Sequence, residues 1–317
     1  MSLPPTYSPP LTPEHQRDAA SLQTVDLERI RQTHPPPPDE TELSERDAMY
    51  AAYTWSEAKH DGRGPESGPT GPGYHDCELV GGGGLGVQYR VYLNTTVEGT
   101  RAVSEWLKAK NVFHKRGSDD WAANRRDAII MYVKAGNPSL EEILDALAVY
   151  QGDSKNLAGF VNERVRLTRP AVVRGTNGPL KLVGVGIADE VLDTTLSFSS
   201  LAADAVLSAR KKAQTGPGTF QRHLAEALEL AGRAPGDPSR EHYVLSVGGQ
   251  RAVVQDRYVT GATIMSAAGI DSTTHDLVYS LRRITAGDSL YVRRGDKFLF
   301  IDKDAPIPRP KPPKVQT

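Results

Sequence analysis

At 317 residues, of which 38% are hydrophobic, the chain is long enough for two domains and flexible tails. Its formal net charge of −1 gives no overall field toward nucleic acid or an acidic membrane, so neither is predicted as a partner. Cys77 is the only cysteine, which excludes an intrachain disulfide and suits a reducing cytoplasm. No apolar run is long enough to span a bilayer.

The N-terminus lacks the basic-then-apolar order of a secretory signal, so a cytoplasmic location is expected. Secretion as an effector through a polar N-terminal tail stays open as the alternative. No pattern of metal-ligating residues stands out, and no cofactor or metal is predicted.

Residues 1–40 are rich in proline and polar residues, which predicts a flexible tail with one short helix over residues 20–32. The run Pro35, Pro36, Pro37, Pro38 favours a polyproline-like spacer, and docking to an aromatic groove is the alternative. Residues 41–59 follow with a broad aromatic face that predicts a packed helix.

The stretch 87–133 organises the sequence around a strand, a helix and a second strand. Residues 87–94 alternate between apolar and polar, and residues 97–110 show helical spacing behind a Thr96 cap. Residues 128–133 predict a strand buried on both faces. The glycine run 81–86 precedes a strand instead of following one, so a hairpin or entry loop is favoured over a phosphate cradle.

Further elements are predicted downstream. Ser139 and Glu142 form a capping box for a helix, and residues 180–188 predict a strand in which Gly184 and Gly186 mark a bulge or the close approach of another backbone or of a ligand. Residues 198–211 and 220–232 predict two more helices.

A break at 233–241, with Pro-Gly-Asp-Pro inside it, predicts a linker. Beyond it, residues 242–303 show the order ββαβββ, which is typical of a β-grasp, and residues 304–317 predict a disordered tail rich in proline and lysine.

The unit 242–303 resembles the bacterial multiubiquitin or ubiquitin-like family. The resemblance is carried by residues 259–264, 268–271, 275–277 and 297–301. It implies a ubiquitin-like module. Modifiers of that kind are activated through a terminal glycine pair, whereas here Phe300 and Ile301 lead into Asp302 and Lys303. A docking module that is not conjugated is therefore expected.

The region 41–232 resembles the HopA-like family, which includes a type III secretion effector and partner lyases of lanthipeptide and thioamitide biosynthesis. The resemblance is carried by residues 49–53, 89–94, 113–115, 126–133, 167–170 and 184–190. It implies an α+β chain in which a HopA-like α/β sandwich precedes the β-grasp domain. It also implies a kinase-paired lyase that removes phosphate from phosphoserine or phosphothreonine by β-elimination.

β-Elimination needs a base for the Cα proton and cations that hold the phosphate. Lys115 is the base candidate and His114 the acid candidate. The phosphate-binding candidates are Arg90, Arg126, Arg169 and Arg222, the last from residues 220–223, which resemble the family's Ser-Phe-Gly motif at a shifted spacing. A solvated basic sheet edge, or an Arg126–Asp127 structural ion pair, is the competing interpretation.

Two hypotheses follow. In the first, the protein is an effector-type binder of a phosphorylated or acidic peptide, with a ubiquitin-like module that docks a partner. In the second, it is a phosphoserine/phosphothreonine lyase that acts with a kinase-like partner. A component of a bacterial ubiquitin-like conjugation system, working with enzymes of that pathway, is a further alternative.

Overall fold

The structure, a computed structural model, describes residues 11–33, 44–59, 74–76, 87–134, 138–176, 178–190, 197–234, 236–256, 258–293 and 295–307. The prolines at 35–38, the glycine run at 81–86 and residues 308–317 lie outside these ranges. The described residues form α-helices and three β-sheets, which confirms the predicted α+β class. Among them, no helix combines the length and apolarity needed to cross a membrane.

Contacts divide the chain into two units. The larger unit comprises Ser8–Ala231 and Pro235–Arg240, and the smaller unit comprises Gly232–Ala234 and Glu241–Thr317. Within each unit, the structure describes only the residues in the ranges given above.

The larger unit contains nine of the described helices and six of the described strands. The helices are α1 (Pro13–Gln23), α2 (Leu27–Thr33), α3 (Glu45–Thr54), α4 (Val97–Ala109), α5 (Asp119–Asn124), α6 (Leu140–Gln151), α7 (Ser154–Leu157), α8 (Phe198–Thr215) and α9 (Phe220–Leu230). The strands are β1 (Tyr74–Asp76), β2 (Val87–Leu93), β3 (His114–Gly117), β4 (Ile129–Lys134), β5 (Arg169–Gly175) and β6 (Gly178–Asp189). A 3-10 turn spans Glu57–Lys59.

The six strands form one antiparallel sheet in the order β1-β3-β4-β2-β6-β5. The predicted strand–helix–strand is confirmed, since β2 pairs with β4 and α4 lies between them in sequence. Thr96 caps α4, its hydroxyl accepting the Gly99 N–H at 3.0 Å, and the Ser139–Glu142 capping box is present at the start of α6. The predicted helices after residue 197 are α8 and α9.

Helices pack on both sides of this sheet, because successive strand residues point to opposite faces. On one side, here called the α3 face, Tyr92 and Ala188 join a core built with α1, α2, α3, α8 and α9. On the other side, the α4 face, Val91 and Leu93 pack with α4 and α6.

The N-terminal segment is not the flexible tail that the sequence predicts over its whole length. Within it, α1 and α2 are helices whose Ala19, Leu22, Leu27 and Ile30 are buried in the core of the α3 face. Thr12 caps α1 and Pro13 occupies the first turn, where a missing N–H removes no helical hydrogen bond. The high proline content of the region masked this apolar spacing.

Two glycine positions let backbones touch in the larger unit. Gly184 has a φ of 67°, and a Cβ there would lie 2.8 Å from the Asn94 carbonyl oxygen and closer still to that of Val161. The predicted close approach at Gly184 is thus confirmed. A Cβ on Gly99, in the first turn of α4, would lie 2.7 Å from the Cα of Gly159.

The smaller unit packs one helix with two small sheets. Its elements are β7 (Tyr243–Val247), β8 (Gln250–Val254), β9 (Tyr258–Thr260), α10 (Gly261–Ala267), β10 (His275–Tyr279), β11 (Arg282–Ile284), β12 (Ser289–Tyr291) and β13 (Lys297–Asp302). Five strands follow the order β11-β10-β13-β7-β8, with β7 parallel to β13, and β9 pairs separately with β12. The predicted order omitted β9 and β11, each of three residues.

Replacing Gly184 with alanine is expected to lower the free energy of unfolding of the larger unit by about 2–4 kcal/mol, through left-handed strain and overpacking. All three tryptophans lie in this unit, so denaturant unfolding followed by tryptophan fluorescence measures the change. Gly216→Ala is the control, because Gly216 is extended and its added Cβ meets only the Lys212 oxygen, at 3.4 Å. Equal stabilities of the two variants would contradict the prediction.

Candidate functional site

His114 and Lys115, the predicted acid and base, occupy opposite faces of β3. His114 is buried on the α4 face, with Nε2 2.9 Å from the Ser104 hydroxyl and Nδ1 2.8 Å from the Val112 carbonyl oxygen. Burial lowers its pKa. Lys115 pairs in register with Ile130 on the α3 face. Because adjacent strand residues alternate, the two side chains do not act from one side of the sheet.

Arg90 lies on the same face as Lys115. Its Nη2 donates to Glu190 Oε1 at 2.9 Å, and its guanidinium lies 5.1 Å from the ring centre of Tyr132. Burial acts to lower the pKa of Arg90, but neighbouring Tyr92 and Glu190 raise it overall. The arginine therefore stays charged although only 18% of its side chain is exposed.

Tyr92 connects this arginine to the start of α8. Its side chain is buried, and its ring centre lies 6.3 Å from that of Phe198, the first residue of α8. Burial raises the pKa of Tyr92, so its hydroxyl remains protonated at neutral pH. Lys115 lies in the same row of the sheet, since both Lys115 and Tyr92 pair with Ile130. We call Arg90, Tyr92, Tyr132 and Glu190 the Arg90 cluster.

Arg126 lies in the segment before β4 and pairs with Glu163, its Nε 3.0 Å from Oε2. Burial raises the pKa of Glu163, but Arg126 and Ser56 lower it overall. Asp127, the predicted partner of Arg126, accepts two hydrogen bonds from Arg125, at 2.9 and 3.0 Å. Sequence adjacency suggested one partner, whereas the extended backbone at Arg125 brings the i and i+2 side chains together.

Arg169 lies on the α4 face, paired in register with Ile187, and so cannot reach the same side of the sheet as Arg90. Its Nη1 is 2.8 Å from Asp189 Oδ1 and donates to the Ser239 carbonyl oxygen at 3.2 Å. The Asp189 N–H also donates to Ser239, at 2.7 Å. Thus Arg169 holds residues 236–240, part of the predicted linker, on the larger unit.

Arg222 lies on the exposed side of α9 and pairs with Glu226 one turn along, its Nε 3.1 Å from Oε1. The motif that suggested a shifted phosphate ligand is here the first turn of α9, capped by Thr219. Of the six residues chosen from the sequence, the sheet therefore places Arg90 and Lys115 on one face, and each candidate arginine has a carboxylate partner.

Sequence reasoning missed Lys59, whose ammonium group donates to the carbonyl oxygens of Ala122 and Arg125, at 2.5 and 2.6 Å. Burial lowers its pKa to about 7, although Asp127 and Glu163 oppose the shift. These carbonyls end α5, so Lys59 caps that helix. A lysine after a helix, separated by about 65 residues from its acceptors, gives no local sequence signal.

The chemistry available at the Arg90 cluster is anion recognition. Arg90 and Lys115 bring two cations to one face, where Glu190 supplies one carboxylate, and the Tyr92 ring lies 6.3 Å from that of Phe198 in the first turn of α8. In the described ranges, no group of three or more His, Cys, Asp or Glu residues is arranged to hold a metal ion.

The solved structures that resemble this chain are distant, and two of them are effector proteins. No protein-family model matches the sequence, and no curated protein matches it. The structure of "the effector protein from Pseudomonas syringae pv. tomato strain DC3000" is 12% identical, with a TM-score of 0.41, covering 72% of this chain and 96% of that one. The effector protein from Pseudomonas syringae pv. syringae strain 61 is 15% identical, with a TM-score of 0.34, covering 74% and 85%. At these values the likeness identifies neither a family nor an activity.

Removing the Asp127 carboxylate should strongly destabilise the larger unit. Asp127→Ala removes the carboxylate that balances the charge of the buried Arg125, and we expect a loss of about 3–5 kcal/mol in unfolding free energy. Arg101→Ala, which breaks an exposed pair with Asp119, should cost less than about 1 kcal/mol. In double-mutant cycles by urea unfolding, Asp127 should couple more strongly to Arg125 than to Arg126; a stronger coupling to Arg126 would contradict this assignment.

Lys59 should make the larger unit more stable as pH rises from 7 to 9. Its folded pKa of about 7 lies below the unfolded value, so in this window the unfolded chain binds a proton that the folded chain has released. Stability then increases by at most about 1.4 kcal/mol per pH unit, and below pH 7 the effect disappears. Urea unfolding followed by tryptophan fluorescence should show a flatter pH dependence in Lys59→Met; an unchanged slope would contradict the assigned pKa.

Proposed function

We propose that this protein is an effector-type binder of phosphorylated or acidic peptides, and that the anionic group binds at the Arg90 cluster together with Lys115. The observation that carries the proposal is that Arg90 and Lys115 lie on one face of the sheet, the face on which Tyr92 packs near Phe198 at the start of α8. The motif resemblance to HopA-like proteins points to the same class of ligand.

The cluster fixes the orientation of the charged Arg90 guanidinium, which favours binding of a phosphate. Glu190 binds one side of the guanidinium and Tyr132 lies beside it, so the planar fork has a fixed orientation. The protonated Tyr92 hydroxyl and the helix N-terminus add favourable dipoles for negative charge. Lys115 contributes a second, more flexible cation from the neighbouring strand β3.

The lyase is the second candidate, because Lys115 shares the face with Arg90 and a lysine beside a phosphate clamp is suited to take a Cα proton. His114 is held on the opposite face by Ser104 and Val112, so the acid in such a reaction would have to be another group.

We infer that the smaller unit is a β-grasp module that docks a partner without being conjugated. The parallel pairing of β7 with β13, the β7–β8 hairpin and the single helix α10 support this assignment. Where a modifier would carry glycines, β13 continues into Asp302 and Lys303.

Binding of a phosphothreonine peptide and its unphosphorylated twin to the full chain, measured by calorimetry, tests the proposal. The phosphorylated peptide should bind more tightly, and Lys115→Ala should weaken it by about 1.5–3 kcal/mol, or roughly 10- to 150-fold. Arg90→Lys keeps the charge beside Glu190 but loses the fork, and should also weaken binding. Arg101→Ala, on an exposed pair, should have no effect.

Mass spectrometry of the same mixtures separates the two candidates. Loss of phosphoric acid from the peptide, abolished in Lys115→Ala while binding largely persists, identifies a lyase. An intact peptide identifies a binder. If Arg90→Lys and Lys115→Ala both bind the phosphopeptide as tightly as the unaltered chain does, the proposed site is wrong.

A further inference from the structure

The smaller unit exposes two tyrosines side by side on its two-stranded sheet. Tyr258 and Tyr291 are register partners on β9 and β12, so their rings share one face, and Ser289 lies two residues from Tyr291 on that face. Their neighbours Val259 and Leu290 point the other way, into the hydrophobic core. We call Tyr258, Tyr291 and Ser289 the tyrosine shelf.

The two tyrosine rings of the shelf are more exposed to solvent than pairing across the strands requires. Tyr258 is 71% exposed and Tyr291 is 36% exposed. Their ring centres are 5.3 Å apart, and the two ring planes are inclined at 69° to each other. An edge-to-face pair stabilises a sheet, but this contribution does not require large apolar rings to face water.

A cation adjoins the shelf on one side. The Arg293 guanidinium lies 5.8 Å from the Tyr291 ring centre, and the residue is exposed. Asp296 accepts the backbone N–H of Arg293 at 2.7 Å, so a carboxylate lies in the same turn. This mixed charge is unfavourable for a polyphosphate backbone, which needs a continuous positive groove. A short anionic group at the end of an otherwise neutral ligand fits better.

We propose that the tyrosine shelf binds a proline-rich peptide in the polyproline II conformation, whose acidic residues at one end meet Arg293. Prolyl rings pack against angled aromatic rings, and the extended backbone offers carbonyl oxygens to hydroxyl donors because this helix has no internal hydrogen bonds. Such a peptide is already ordered before it binds, so a small surface suffices.

This chain itself contains a proline run followed by acidic residues, which is the kind of peptide that we propose for the tyrosine shelf. Pro35, Pro36, Pro37 and Pro38 are followed directly by Asp39 and Glu40. The proline-rich stretch at 306–314 instead carries Arg309, Lys311 and Lys314, which Arg293 would repel. Charge complementarity therefore favours acidic ligands over basic ones.

A fluorescein-labelled synthetic peptide with four prolines followed by Asp-Glu, titrated with the full chain by fluorescence anisotropy, tests the proposal. Binding should saturate and should weaken as salt rises. Tyr258→Ser should lower the affinity about tenfold or more, and Arg293→Gln should remove most of the salt dependence. Replacing Pro35–Pro38 by serine in the protein removes any competition from its own proline run.

Leu299→Ser is the matched control, since Leu299 is 52% exposed on β13 in the same unit and should not affect binding. Circular dichroism verifies that each variant is folded, and Tyr258→Phe, which keeps the ring, provides a milder change. The proposal is overturned by an absence of saturable binding, by equal binding of a peptide with alanines for prolines, or by tighter binding of a basic proline-rich peptide or a single-stranded oligonucleotide. It is equally overturned if Tyr258→Ser abolishes self-association of the chain and leaves peptide binding unchanged.

Discussion

The carboxylate of Asp127 has no exposed surface, and the Arg125 guanidinium compensates its charge with two hydrogen bonds. That guanidinium stacks 3.5 Å from the ring centre of Trp121 on α5 and 5.1 Å from that of Tyr50 on α3. Two helices and the entry to β4 thus meet at one ion pair. A buried pair adds little net stability, but it ties these elements to a single arrangement.

Carboxylates neutralise and orient the buried arginines of the larger unit. Glu190 orients Arg90 on the α3 face, Asp189 orients Arg169 on the opposite face, and Glu163 orients Arg126 before β4. Arginines held in this way lose little side-chain entropy on meeting a further anion. The same carboxylates reduce the attraction for that anion, so selectivity depends on geometry more than on net charge.

Long, periodic elements were predictable from the sequence, and so were local caps. The strand–helix–strand at 87–133 and the caps at Thr96 and Ser139 depend on neighbouring residues only, and all are present. The placement of charged side chains was not predictable, because it depends on sheet register and on distant partners. Lys59 reaches α5, and Arg169 reaches Ser239, through contacts that no local pattern encodes.

The touching backbones of Gly99 and Gly159 have an evolutionary consequence. A side chain at either position would have to displace the other backbone, since an added Cβ on Gly99 lies 2.7 Å from the Cα of Gly159, and one on Gly159 lies 3.0 Å from that of Gly99. Substitutions at these two sites are therefore not independent. In any diverged relative that keeps this contact, the two positions are constrained as a pair, although 60 residues separate them in the chain.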